Sequence, residues 1–292
     1  MTEINNQSIV KALLALTPQA GCFSTAIQGV TLMRADQSTP PAPVLQEPTI
    51  VVLGQGVKRG YVGDQIMTYQ SGQCLAVAIP MHFSCDTIVE VGNPMLALAV
   101  AVDRGIVSEL MSKMDLPRSA APETFSRGMV VDDLSEATLE TVVRLLQALA
   151  SPEDAKILGP QLIRELHYRM LSSPSGEILC SVVAWQGKLG AIYRVCQRIQ
   201  LDYAQGDLDV ASLASEAAMS TSAFHQAFKD VTGCSPIQYI KATRLQRAHE
   251  LIQGSNHAVA QAAYEVGYAS ASQFSREFRR MFGYSPGDAI HH

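Results

Sequence analysis

Residues 270–286, SASQFSREFRRMFGYSP, carry two stripes that a helix would separate. Phe274, Phe278 and Met281 recur at i, i+4 and i+7, whereas Ser272, Ser275, Arg276 and Arg279 recur at i, i+3, i+4 and i+7. The first face suits a core. The second is short, polar and cationic, and suits contact with something outside the chain. The pattern has a counterpart upstream. VASLASEAAMSTSAFHQAFKDVTGCSP starts at Val210 and VAQAAYEVGYASASQFSREFRRMFGYSP at Val259. Val210, Ala211, Ala214 and Glu216 match Val259, Ala260, Ala263 and Glu265 at an offset of 49; Phe224, Phe228, Lys229, Gly233, Ser235 and Pro236 match Phe274, Phe278, Arg279, Gly283, Ser285 and Pro286 at 50. The inserted residue falls in a turn, where insertions are best tolerated. Two copies are too few for a solenoid. They suit two helical modules joined by PIQYIKATRLQRAHELIQ, which itself reads as a long helix.

Each unit reads as helix, short turn, helix, over about 208–231 and 258–282. Ser220 and Ser270 are of the type that caps a following helix. Gly233 and Gly283, each followed three residues later by Pro, are stop signals. A helix held by a tight turn with its polar face outward is the helix-turn-helix arrangement. Phe274, Phe278 and Met281 then anchor the second helix, while Ser272, Gln273, Ser275 and Arg276 project toward a major groove. Arg pairs with guanine, Gln with adenine, and Ser with bases or phosphate. Arg279 and Arg280 are placed for phosphate. The corresponding set in the first module is Ser222, His225, Gln226 and Lys229. Two readers in one chain can enter successive major-groove segments about 34 Å apart. For a single helix an ordinary solvated face is the simpler reading. The repeat, with its matching Phe, Gly and Pro, favours double-stranded DNA.

The chain has 292 residues, enough for two domains, and its 47% apolar and 17% charged content is that of a globular protein. No apolar run reaches the roughly 18 residues a membrane span needs. The N-terminal MTEINNQSIVKALLALTPQAG lacks the basic region of a signal peptide, so a cytoplasmic protein with no membrane partner is expected. The net charge of −5 at first argues against nucleic acid, but residues 1–192 hold 13 Lys and Arg against 18 Asp and Glu, whereas 221–282 hold 7 against 4. The cationic surface is local. From Gly21 to Asp103, TIVVLGQGV, QIMTYQ, CLAVAIP and LALAVAV read as short strands of a small barrel or sandwich. Beyond Asp103 the period changes to helical in IVSELMSKM, LSEATLETVVRLLQAL and PEDAKILGPQLIRELHYRML, with SSPSGE as a break. WQGKLG, 185–190, is the expected linker between domains 1–186 and 187–292, and the terminal HH reads as a tag stub.

At these residues the sequence resembles the AraC/XylS family of bacterial transcription regulators. EVGYASASQFSREFRRMFGYSP is similar to that family's most recognisable signature, and IPMHFSCDT, DAKILGPQLIREL and SSPSGE resemble the N-terminal domain of a subgroup that includes aldehyde-responsive members. The resemblance implies an α+β fold: an N-terminal cupin-like β-barrel with dimerisation helices, then an all-α domain with two helix-turn-helix motifs and seven helices. It also implies a homodimer that senses a small-molecule effector and activates promoters by contacting RNA polymerase. The family's base-reading positions carry over to Ser222, His225 and Gln226, and to Ser272, Ser275 and Arg276. Many members have a bulky or basic residue where Ser222 and Gln226 stand. The stripe of Leu134, Val142, Leu145, Leu146 and Leu149 is expected to pair with its equivalent in a second chain.

The competing reading is a cupin-type small-molecule enzyme with an accessory helical domain. His82 is the only histidine in residues 1–166, too few for a three- or four-ligand metal site, so no metal or cofactor is expected. GQGVKRG, 54–60, has one residue too many for a dinucleotide loop and reads as a hairpin turn. The six cysteines, Cys22, Cys74, Cys85, Cys180, Cys196 and Cys234, form no CxxC pair and no disulfide framework. Cys85 is the candidate sensing residue, with His82 three positions before it to favour a thiolate and Asp86 beside it to oppose one. A packed, inert thiol is the alternative.

Overall fold

The computed structural model describes residues 2–115, 128–183, 187–205, 208–255 and 258–291. The start of the expected linker, Trp185 and Gln186, lies outside these residues, as does His292 of the terminal pair. The chain opens with α1 (Thr2–Leu16) and then nine strands: β1 (Gly21–Ser24), β2 (Val30–Ala35), β3 (Thr39–Gln46), β4 (Thr49–Gln55), β5 (Val57–Val62), β6 (Gln65–Gln70), β7 (Gln73–Val77), β8 (Met81–Ile88) and β9 (Met95–Ala101). They occupy the span read as strands. The expected barrel takes the form of two antiparallel sheets that share one core, of order β1-β2-β9-β4-β7-β10 and β3-β8-β5-β6, where β10 is Met129–Asp133. β10 pairs with β7 and was not legible in the sequence, because its partner lies about fifty residues upstream and MVVDD alone is a weak strand signal.

β4 is buried along nearly its whole length, because α1 covers one face of its sheet. A Cβ on Gly54 would meet Ile9 and Leu13 of α1 at 2.9 Å, so the helix sits directly on the strand. The stretch read as a hairpin, 54–60, is instead a crossing between sheets. Gly56 adopts φ +88°, carrying the chain from β4 in one sheet to β5 in the other.

The helices of the first domain are α2 (Arg104–Lys113), α3 (Glu136–Ala148), α4 (Pro152–Ile157), α5 (Gly159–Leu171) and α6 (Gly176–Ser181). Ser135 caps α3 by accepting from the Thr138 N–H. α3 packs between α1 and α5, which corrects one expectation. Leu134, Val142, Leu145 and Leu146 are buried in the chain's own core and Leu149 is half-buried against it. That stripe faces inward; what the α4–α5 turn leaves exposed is Ile157 and Leu158, with Tyr168 further along α5.

The second domain contains α7 (Gly187–Asp202), α8 (Val210–Glu216), α9 (Thr221–Thr232), α10 (Pro236–Ser255), α11 (Val259–Glu265) and α12 (Ala271–Phe282), followed by a 3-10 turn (Pro286–His291). Its interior is divided. Phe224 and Phe228 of α9, Tyr239 of α10 and Cys196 of α7 belong to the same continuous core as Ile50 of β4 and Leu146 of α3. Leu245, Ala248 and Ile252 of α10 form a separate core with Ala262, Phe274 and Phe278. The division falls within α10, between the two modules.

Candidate nucleic-acid interface

Both modules are built as their sequences read. Ser220 accepts from the Ala223 N–H and Ser270 from the Gln273 N–H, each at 3.3 Å, starting α9 and α12. Gly233 and Gly283 end them in the left-handed region, φ +80° and +85°, donating to the carbonyls of Lys229 and Arg279. Phe224 and Phe228 pack edge to face at 5.5 Å between centroids, and Phe274 and Phe278 are likewise 5.5 Å apart. All four rings are fully buried, each contributing roughly 1.5–3 kcal/mol to holding its helix.

The opposite faces are open. Ser222, Gln226 and Lys229 are exposed on α9, with His225 half-buried beside Phe224. Ser272, Gln273, Arg276, Arg279 and Arg280 are exposed on α12; Ser275 is half-buried and donates its hydroxyl to the Ala271 carbonyl at 2.9 Å, which leaves it an acceptor. Each helix therefore brings its predicted set together on one face. The sequence reading missed the polar network behind those faces. Gln226 donates to Asp230, which also receives Lys188 of α7 at 2.6 Å. Gln273 donates to Glu277, which Lys241 of α10 and Tyr268 also contact. The i, i+4 spacing of the Gln and acid pairs was the signal available for it.

The first module is docked on the β-sheets. Tyr239 donates its hydroxyl to the Pro80 carbonyl at 2.9 Å, and the Gly128 N–H donates to the Val231 carbonyl at 3.0 Å. His82 of β8 meets Thr243 of α10 at 2.8 Å. Thr243 gives its hydroxyl hydrogen to the Tyr239 carbonyl, so His82 must donate from Nε2. Its Nδ1 is then a bare acceptor, buried and without a partner. Burial drives the imidazole down to about 3, and Arg247 adds to the effect. Beside it runs a groove of about 340 Å³, lined by His82, Cys234, Gln238, Lys241, Glu277 and Arg280.

The proposed thiolate–imidazole pair does not form. His82 and Cys85 are three positions apart on β8, so they project to opposite faces of the strand. His82 faces α10, while Cys85 packs against the barrel core and its thiol hydrogen points at the Asp86 carbonyl, 3.5 Å away. Burial pushes the Cys85 thiol up, with Lys58 acting against that. Asp86 is buried and engaged by Arg59 at 2.6 Å and Tyr61 at 2.8 Å, which hold its carboxyl below the usual range. Among the described residues no group of three His, Cys, Asp or Glu side chains is arranged to hold a metal ion, and no helix is long and apolar enough to cross a membrane.

A family described as "AraC-type transcriptional regulator N-terminus" matches residues 26–178, more than half the chain, and a "Helix-turn-helix domain" matches 213–291. The chain belongs to the AraC-type transcriptional regulators. Within this family, the RCS-specific HTH-type transcriptional activator RclR of Escherichia coli is 43% identical over 79 residues, 27% of this chain and 28% of RclR. The HTH-type transcriptional regulator ExsA of Pseudomonas aeruginosa is 30% identical over 147 residues, 49% of this chain and 51% of ExsA. The chain thus spans about a quarter and about half of the lengths of these relatives. Crystallised ToxT of Vibrio cholerae, bound to an unsaturated fatty acid, aligns with a TM-score of 0.62 at 10% identity, covering 89% of this chain and 94% of ToxT. That likeness shows a shared fold over nearly nine-tenths of this chain.

Proposed function

We propose that this chain is a sequence-specific, promoter-binding transcription activator of the bacterial cytoplasm that works as a homodimer and answers to a small-molecule effector. The observation that carries this reading is the duplicated recognition face. Two capped helices, each anchored by a buried Phe pair, leave Ser222, Gln226 and Lys229 and then Ser272, Arg276 and Arg279 open on the surface. Arg276 and Gln226 are suited to base edges, and Lys229, Arg279 and Arg280 to phosphate. Activation would follow from contact with RNA polymerase once both readers are seated. We read the chain as a regulator and not an enzyme. Dimerisation is assigned to the exposed side of the first domain's helices, around Ile157, Leu158 and Tyr168.

The effector, for which the fatty acid of crystallised ToxT is one precedent, would act by binding one domain arrangement better than another. A noncovalent ligand between the domains or within the barrel is favoured because Cys85 is half-buried, away from His82, with its thiol pushed up, and an electrophile that modifies Cys85 is the second reading. The deciding experiment is footprinting on duplexes upstream of the protein's own and neighbouring genes, with and without candidate ligands. Protection of two adjacent major-groove segments, altered by a ligand, is the expected result. Equal affinity for these and for random duplexes would sink the proposal.

A further inference from the structure

The repeated network behind the recognition faces has a consequence for base preference, given that α9 and α12 read DNA. In α9, Gln226 Nε2 donates to Asp230 Oδ1 at 2.6 Å, and Lys188 Nζ takes the other carboxylate oxygen at 2.6 Å. In α12, Gln273 Nε2 donates to Glu277 Oε1 at 3.2 Å, where Lys241 Nζ also binds at 2.7 Å, and Tyr268 holds Oε2 at 2.8 Å. The design is the same twice: an exposed glutamine, an acid four residues on, and a lysine from another helix fixing the acid. The two glutamines are not equivalent in the repeat, since Gln226 follows Phe224 by two positions and Gln273 precedes Phe274 by one. They report on different bases.

A carboxylate accepts and does not donate, so only the nitrogen end of each amide can face it. Turning the amide over would set its oxygen against a charged oxygen. In both helices the acid holds the nitrogen end, so the amide oxygen is the end left free of it, on the exposed face of a helix that would enter a major groove. We propose that Asp230 and Glu277 are positioning residues that present Oε1 of Gln226 and Gln273 to the groove, so that each selects a base with an exocyclic amino group. Those bases are adenine, through N6, and cytosine, through N4; guanine and thymine offer acceptors at the same depth.

The test is selection from a randomised duplex pool by the full chain, comparing the unmodified protein with Gln226→Ala, Asp230→Asn, Asp230→Glu and Lys188→Met. The unmodified protein should exclude guanine and thymine roughly tenfold at one position that Gln226→Ala flattens. Asp230→Asn, whose amide accepts either end of Gln226, should admit guanine and thymine at that position alone. Asp230→Glu should restore the preference, and Lys188→Met should relax it in part. An unchanged preference in Asp230→Asn, or a loss spread over all positions, would overturn the assignment. Enrichment of no sequence by the unmodified protein would instead remove the DNA-reading interpretation itself, and this one with it.

Discussion

At the scale of single residues, two side chains on the exposed faces of α9 and α12 have distinct expected signatures. Arg276→Ala should weaken binding to a selected operator by about 1–3 kcal/mol more than binding to random duplex, because a lost base contact costs only where the base was right. Equal losses would reassign Arg276 to phosphate. Lys229→Ala should weaken both and flatten the slope of log K against log salt by about one. The thiols can be ranked in the same spirit. Cys22 is exposed, Cys85 half-buried, and Cys74 and Cys196 buried, with burial pushing Cys74 up to about 12. Competitive labelling with a small electrophile should therefore modify Cys22 before Cys85, and Cys74 and Cys196 last. Cys85 reacting first would revive covalent sensing. The exposed polar faces of α9 and α12 were legible in the sequence because helical spacing separates an anchoring stripe from a polar one. The pairing of Cys85 with His82 was misread because nearness in sequence on a strand places residues on alternate faces.

At the scale of elements, the paired glycines make a controlled comparison. They end α9 and α12 in the left-handed region, where a Cβ costs about 1–2 kcal/mol. A Cβ at Gly283 would meet nothing within 4 Å, whereas at Gly233 it would lie 2.6 Å from Val62 Cγ1 and 3.2 Å from the Gly63 nitrogen. Gly283→Ala should thus cost about 1 kcal/mol, and Gly233→Ala about 1–3 kcal/mol more by overpacking. Chemical denaturation of the two variants checks this, and equal losses would mean that the β5–β6 turn yields freely. The helices of the first domain give a second test. Ile157→Glu should leave a folded monomer, read by sedimentation, because that side chain is exposed. A variant that remains dimeric would place the interface elsewhere. The helical period of α3 and α5 was plain in the sequence, but its direction was not, since an apolar stripe carries no label for what covers it. α1 covers α3, and its polar opening disguised it.

At the scale of the whole molecule, the joint between sheet and α10 should respond to acid. His82 has a folded pKa of about 3 against an ordinary 6.5. A group lowered in this way binds more protons when unfolded, so the stability it confers is complete above pH 6.5 and declines as pH falls toward 3. At pH 5 the decline amounts to about 2 kcal/mol. Thermal melts at pH 8 and pH 5 should show the unmodified chain losing more than His82→Gln, which can still donate to Thr243; equal losses would show that His82 rehydrates without cost. The strands, the repeat and the caps could all be read from local pattern. The docking of one module could not, because it rests on contacts between residues about 160 positions apart, such as Tyr239 with Pro80. That docking also makes the duplicated units unequal as parts. The core of the second is closed by its own residues, α10 and Tyr203 at the end of α7, with α12 also touching β3, so an equivalent unit from another regulator could be grafted after Thr243 if it keeps the bond from Arg244 to the Tyr203 carbonyl. Transplanting the first would mean recutting the sheet that receives it. New operators are therefore expected to be reached most readily by exchanging or diversifying the second unit, while the first travels with the β-sheets as one inheritance.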